Sequence, residues 1–188
     1  MKILIFGITG NTGKEIARFY LEKNCEIWGI GRKKNFTLNI HNYISADIRD
    51  KKSFDLIPND FDVAINLAGV QPSILPFSEE TDLHRTVREY IDVNITGTYN
   101  ILEFIAKSRI KTYIYATTHR DYELYWNQRE LLGNNLPPAI NLEGDHSMYA
   151  ITKVTGKMIG DYLMKREGIR CFNLRLPMIF LIPDSPFY

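Results

Sequence analysis

The stretch MKILIFGITGNTGK, residues 1–14, sets an apolar run from Ile3 to Phe6 against glycines at Gly7, Gly10 and Gly13. A short apolar run closed by glycine predicts a buried strand of a parallel sheet. A helix-like pattern begins at Lys14, so the glycines fall in the turn between strand and helix. Glycine allows a tight turn and lets the backbone come close to a ligand. The helix that follows offers unpaired N–H groups and the positive end of its dipole to a phosphate. Gly7, Thr9, Gly10, Asn11, Thr12 and Gly13 are therefore the expected phosphate-binding residues.

Beyond that turn, strand and helix patterns alternate. Ile16, Ala17, Tyr20 and Leu21 share one helical face, with Asn24 as the stop. Further strands are expected at Cys25–Ile30, Tyr43–Ala46, Asp62–Leu67, Thr112–Thr117 and Arg170–Leu176. A long helix is expected from Leu83 to Lys107, after a proline-containing loop, and another from Met148 to Arg166. The stretch from His119 to Ser147 reads as irregular and polar. Alternation of this kind predicts an α/β domain, a doubly wound parallel sheet between two layers of helices. In such a sheet ligands bind at the carboxyl ends of the strands, where strand order reverses. Gly7, Gly31, Asp47, Ala68 and Thr118 all fall at or just past expected strand ends and should share one crevice.

Composition narrows the class. The 188 residues are 45% hydrophobic and 24% charged, with a formal net charge of +1. That balance fits one soluble domain with a real core and gives no general attraction to nucleic acid or an anionic membrane. Cys25 and Cys171 match no metal spacing and read as two reduced thiols. The N-terminus lacks the features of a signal peptide, and no apolar run reaches the ~18 residues of a membrane span. A cytoplasmic protein is expected. No internal repeat or low-complexity segment is present.

Two constellations carry chemistry. G-x-x-G-x-x-G differs from the more widespread G-x-G-x-x-G fingerprint and points to one branch of the dinucleotide binders. About 20 residues past such a turn, an acidic side chain would bind an NAD ribose. Here Gly31 stands there, followed by Arg32, Lys33 and Lys34. Arg32 can bind a 2′-phosphate through its planar fork, which favours NADP over NAD. Asp47 is expected near the adenine edge or as a cap for the next segment. The second constellation is Tyr149-Ala-Ile-Thr-Lys153. Residues four apart share a helix face, so phenol and ammonium can act on one site. Tyrosine ionises near pH ~10, and a nearby ammonium favours the phenolate. Y-x-x-x-K arises by chance in a chain with eleven tyrosines; its position, opening a helix after the fifth strand, carries the signal. Thr118 supplies a hydroxyl to orient a substrate oxygen. Gly97 inside the long helix reads as a point of close packing.

The motifs Gly7-x-x-Gly10-x-x-Gly13, Asp47-Ile48, Asn66-Leu67-Ala68-Gly69, Asp92-Val93-Asn94-x-x-Gly97-Thr98, Thr117-Thr118, Tyr149-x-x-x-Lys153 and Leu174-Arg175-Leu176-Pro177 occur in a familiar order. In this the chain resembles the extended short-chain dehydrogenases/reductases, and in particular their nucleotide-sugar epimerase/dehydratase group. The resemblance implies a Rossmann domain over residues 1–177 and an NAD(P)-dependent isomerase or oxidoreductase acting on a nucleotide sugar. It makes Tyr149 the acid/base, with Lys153 lowering its pKa and holding the nicotinamide ribose. Thr118 stands where the family usually has serine. Ile48, Leu67, Ala68, Gly69, Asn94 and Pro177 are implied to border the cofactor, NADP or NAD. A homodimer through the two long helices is also implied. His119 follows Thr118 where a dehydratase would have an acid. Extended members continue into a substrate domain, of which residues 178–188 would be only the start, in an incomplete copy or an unusually short member. GITGNTG also resembles atypical, NADP-sensing members, which gives a second reading: a non-catalytic NADP-binding module that senses redox state or acts as a scaffold.

Overall fold

Six strands form a single parallel sheet in the order β3-β2-β1-β4-β5-β6. They are β1 (Lys2–Phe6), β2 (Glu26–Gly31), β3 (Asn42–Ser45), β4 (Val63–Asn66), β5 (Thr112–Thr118) and β6 (Arg170–Leu176). The computed structural model describes residues 1–72, 86–127, 136–143 and 146–177. The chain leaves β1 in one direction to build β2 and β3, then returns past it to build β4, β5 and β6. Strand order therefore reverses between β1 and β4, and a crevice opens at their carboxyl ends.

Each face of the sheet has its own apolar layer. Ile3, Ile5, Ile27 and Ile65 meet Ala17 of α1 (Asn11–Glu22) on one side. On the other, Leu4, Phe6, Ala64, Tyr113 and Tyr115 pack under Ile101, Leu102 and Ile105 of α3 (Thr98–Lys107) and Met164 of α4 (Ser147–Arg166). Because strands buried on both faces need no polar alternation, they read in the sequence as continuous apolar runs.

Several boundaries differ from the sequence expectation. α1 starts at Asn11 rather than Lys14, because Gly10 in an extended conformation serves as the N-cap and Gly13 lies within the first turn. Gly31 is the last residue of β2 and Thr118 the last of β5, each drawn into the ladder by a neighbour, Ser45 and Leu176. The expected long helix is three pieces: α2 (Val87–Tyr90), a π-helical turn (Ile91–Gly97) and α3. Thr86 and Glu89 close its start with a reciprocal capping box; residues 83–85 lie outside the described part. Part of the stretch expected to be irregular is a 3-10 segment, His119–Tyr125, capped by the Thr118 hydroxyl. Among the described residues no helix is long and apolar enough to cross a membrane.

Candidate active site

The three glycines of the first turn divide their labour. Gly7 adopts φ +82°, and a Cβ there would stand 2.7 Å from the Ala68 nitrogen. A Cβ on Gly13 would stand 2.6 Å from the Gly7 carbonyl. Both are demanded by the turn itself, which carries β1 into α1 hard against the end of β4. Gly10 is exposed and its Cβ position nearly open. It is the one whose lack of side chain leaves room for a ligand. No side chain caps α1 and no acid sits in its first turn, so the helix keeps its attraction for an anion. Asn11 is exposed, Thr12 half-buried, and Thr9 packs over Gly31, linking the turn to the end of β2.

At that end Arg32, Lys33 and Lys34 are all exposed. The Tyr43 hydroxyl lies 3.0 Å from the Gly31 carbonyl and also contacts that of Lys33, while its ring stacks on Phe36 at 4.8 Å. The basic segment thus leaves the sheet at a braced point. Asp47 is gripped by Arg49 through contacts of 2.7–3.1 Å, and this pairing holds its carboxyl below the usual range. Its Oδ1 also accepts from the Arg49 backbone, the local capping role. Ile48 is buried against Gly97, where a Cβ would stand 2.6 Å from the Ile48 side chain, so close packing accounts for glycine in the helix.

Asn66 orders the loop after β4. It accepts from the Ala68 backbone at 3.0 Å and donates to the Tyr113 hydroxyl at 3.1 Å. Asn94, in the π-helical turn, takes the next residue: its Oδ1 accepts from Val70 N–H at 2.8 Å. Its amide donates to the Val70 carbonyl and, at 3.1 Å, to the Thr152 hydroxyl. Every polar atom of this buried side chain is used within the protein. Asn94, expected at the cofactor, ties Val70, just past Leu67, Ala68 and Gly69, to Thr152 of α4.

Thr118 is 3% exposed and lies close enough to the Tyr149 phenol to act on its ionisation. Its hydroxyl also accepts from the Arg120 backbone. Lys153, one helical turn beyond Tyr149, is 4% exposed, and its Nζ lies 4.1 Å from the centroid of the Tyr115 ring. The same Nζ stands beside Gly69. Burial pushes the Lys153 pKa down to about 7. Burial also raises that of Tyr149, outweighing the Thr118 contact that favours the phenolate, with Tyr90 adding to the rise. The expected lowering of Tyr149 by Lys153 is therefore not present in the chain alone. Pro177 is exposed and follows Leu176, which pairs with Thr118.

Three features escaped the sequence reading. Tyr115 and Tyr90 approach Lys153 and Tyr149 from other elements; period-two alternation along β5 would have put Tyr113 and Tyr115 on one face. His119 stacks on Trp126 at 5.3 Å, with the Arg120 guanidinium 4.8 Å from that ring. Asp121, buried, pairs with Arg175 at 3.2 Å, whose guanidinium lies 3.8 Å from the Tyr122 ring. These walls stand next to Thr118.

A model of the NAD dependent epimerase/dehydratase family matches residues 3–181. The chain is 24% identical over 186 residues to L-arabinose 1-dehydrogenase (NAD(P)(+)) of Haloferax volcanii, aligning 93% of itself with 66% of that protein. It is 27% identical over 205 residues to Protein CapI of Staphylococcus aureus, aligning 94% of itself with 55% of that protein. Among solved structures, UDP-galactose 4-epimerase superposes with a TM-score of 0.73 at 18% identity, over 93% of this chain and 55% of that one. UDP-glucuronic acid 4-epimerase from Bacillus cereus, in complex with NAD, gives 0.70 at 22% identity, over 96% and 57%. The chain thus spans between 55% and 66% of the length of these proteins.

Proposed function

Because the chain belongs to the NAD-dependent epimerase/dehydratase family, we propose that it is an NAD(P)-dependent enzyme that epimerises, dehydrates or reduces a sugar, with a nucleotide sugar as substrate. The observation that carries this reading is Thr118 beside Tyr149 at the carboxyl edge of the sheet, with Lys153 one helical turn further along α4 and its ammonium beside Gly69. The names of the relatives, a sugar dehydrogenase and UDP-sugar epimerases, point the same way.

The residues fit a dinucleotide. Gly10 leaves open space over an uncapped helix start, and a basic exposed segment follows Gly31 at the end of β2. The first turn would hold the pyrophosphate, with Thr9, Asn11 and Thr12 around it. Arg32 would take a 2′-phosphate and Asp47 with Ile48 would flank the adenine. Leu67, Ala68, Gly69 and Pro177 would border the nicotinamide half. When bound, the dinucleotide supplies the hydride acceptor or donor. Tyr149 takes the proton of the substrate hydroxyl, and Thr118 holds that oxygen. Lys153 binds the ribose, and the oxidised nicotinamide would supply the positive charge that favours the phenolate. Burial keeps the Tyr149 phenol protonated until positive charge arrives beside it. With His119 in place of an acid after Thr118, epimerisation or reduction fits better than dehydration.

Two further parts belong to the same reading. Tyr99 on α3 and Met158 and Tyr162 on α4 are exposed around one apolar groove, which suits a homodimer built through these helices. Cys25 and Cys171 are free, which suits the cytoplasm. Fluorescence titration with NADPH and NADH tests the core of the proposal. Saturable binding is expected, tighter for NADPH, and a folded chain that binds neither overturns it.

A further inference from the structure

We propose that Tyr115 is the positioning residue for Lys153, its ring face holding the ammonium where a carboxylate would otherwise be required and keeping it at the edge of the sheet. The inference rests on the place given to Lys153 in the proposed function. A buried cation is ordinarily paired with a buried anion, because losing hydration without a partner is costly. Among the described residues no carboxylate pairs with Lys153, and its Nζ instead stands 4.1 Å from the Tyr115 ring centroid. The negative face of an aromatic ring attracts an ammonium at such distances, most strongly when both are shielded from water.

The ring is well fixed for this role. Tyr115 stacks on Tyr113 at 6.1 Å, and Tyr113 accepts a hydrogen bond from Asn66. At the other end its hydroxyl lies against Gly156, where a Cβ would be only 2.6 Å away. Lys153 and Gly156 are three residues apart on α4, so one helix face supplies both the ammonium and the socket for the ring. The titratable groups around this site are the phenols of Tyr149 on the same helix, Tyr115 and Tyr113 from β5 and Tyr90 from α2, with the Cys171 thiol of β6, which burial pushes up to about 12, beyond Tyr113. Burial raises the pKa of Tyr113, Tyr115 and Tyr149, so none of these three supplies an anion at neutral pH. From the π-helical turn and the loop after β4, Asn94 and Gly69 stand beside this site. The ring of Tyr115 is therefore the group that favours the charged form.

The test is a pH titration of the ligand-free chain labelled with ε-13C lysine, with the Lys153 resonance assigned by its loss in Lys153→Met. Tyr115→Phe retains the ring and should leave the Lys153 midpoint within a few tenths of a pH unit of its original value. Tyr115→Leu should lower it by about one pH unit. If Tyr115→Leu loses the native far-UV circular dichroism, Tyr115→Met replaces it with the same expected shift. A midpoint unchanged without the ring, or one moved as far by Phe as by Leu, overturns the proposal. Since no dinucleotide is present, a chain that binds neither NADPH nor NADH would refute the enzymatic reading and leave this result standing.

Discussion

Lys153 enters the folded chain with a pKa near 7 against its ordinary value of 10.5. Between those values the unfolded chain binds the extra proton, so stability contributed through this residue rises with pH across that window. At lower pH both states are charged and the whole cost of burying the ammonium is present. Lys153→Met should therefore raise the melting temperature most at pH 6 and progressively less toward pH 9, a range in which tyrosines stay protonated in both states. The gain at pH 6 is bounded by about 5 kcal/mol, the equivalent of the full shift. Calorimetry at the two pH values checks this, and an equal gain at both would contradict it. Tyr149→Phe tests the chemistry directly. It should keep dinucleotide affinity and lower turnover by about 10²- to 10⁴-fold, the range of a lost acid/base group. Turnover unchanged on any sugar substrate would remove the role assigned to the phenol.

Two glycines of α4 make opposite demands on the same helix. Gly156 abuts the Tyr115 hydroxyl, whereas a Cβ on Gly160 would meet Leu102 and Tyr113 at ordinary contact distances of 3.6–3.7 Å. Alanine gains about 1 kcal/mol over glycine in a helix interior. Gly160→Ala should keep much of that gain and melt slightly higher. Gly156→Ala must displace a buried ring and should lose up to about 2 kcal/mol net, since overpacking costs ~1–3 kcal/mol against that gain. Thermal melts of the pair give the comparison; variants that move together would show that the two sites are packed alike. Periodicity made α4 readable in the sequence to within one residue, because its apolar positions and closing Gly168 lie in one continuous segment. The π-helical turn was not readable. Residues 91–97 show ordinary helical spacing, and nothing local distinguishes them from their neighbours. The contacts that accompany the turn join Asn94 to Val70 and Thr152, which are distant in sequence.

The sheet brings the separate strand ends together. Its order is implied by the alternation of strand and helix patterns, since right-handed crossovers leave few arrangements. For that reason the glycine turn, Asp47, Ala68 and Thr118 could be assigned to one edge from their positions alone. What spacing cannot carry is the choice of partner across elements. It does not say that Tyr115 faces Lys153, or that Gly7 and Gly13 serve the turn while Gly10 remains open. Assembly is the remaining expectation for the chain as a unit. If α3 and α4 form a homodimer face, Tyr162→Glu should convert a dimer to a monomer without changing the far-UV spectrum. Light scattering after gel filtration would show the mass halve, and a wild-type chain already monomeric would refute the arrangement.

The π-helical turn has one more consequence. An α-helix advances about 100° per residue, so the extra residue accommodated within Ile91–Gly97 acts as a phase shift between the segments on either side. Ile101, Leu102 and Ile105 keep the phase that seals the sheet, while Asn94 is turned toward Val70 and Thr152. A continuous α-helix could satisfy only one of these orientations. Deleting a single residue from this turn would preserve the helix and the apolar layer beneath it, yet swing the Asn94 amide away from Val70. The loop that borders the crevice would then be released from the helix without the loss of any residue that lines it.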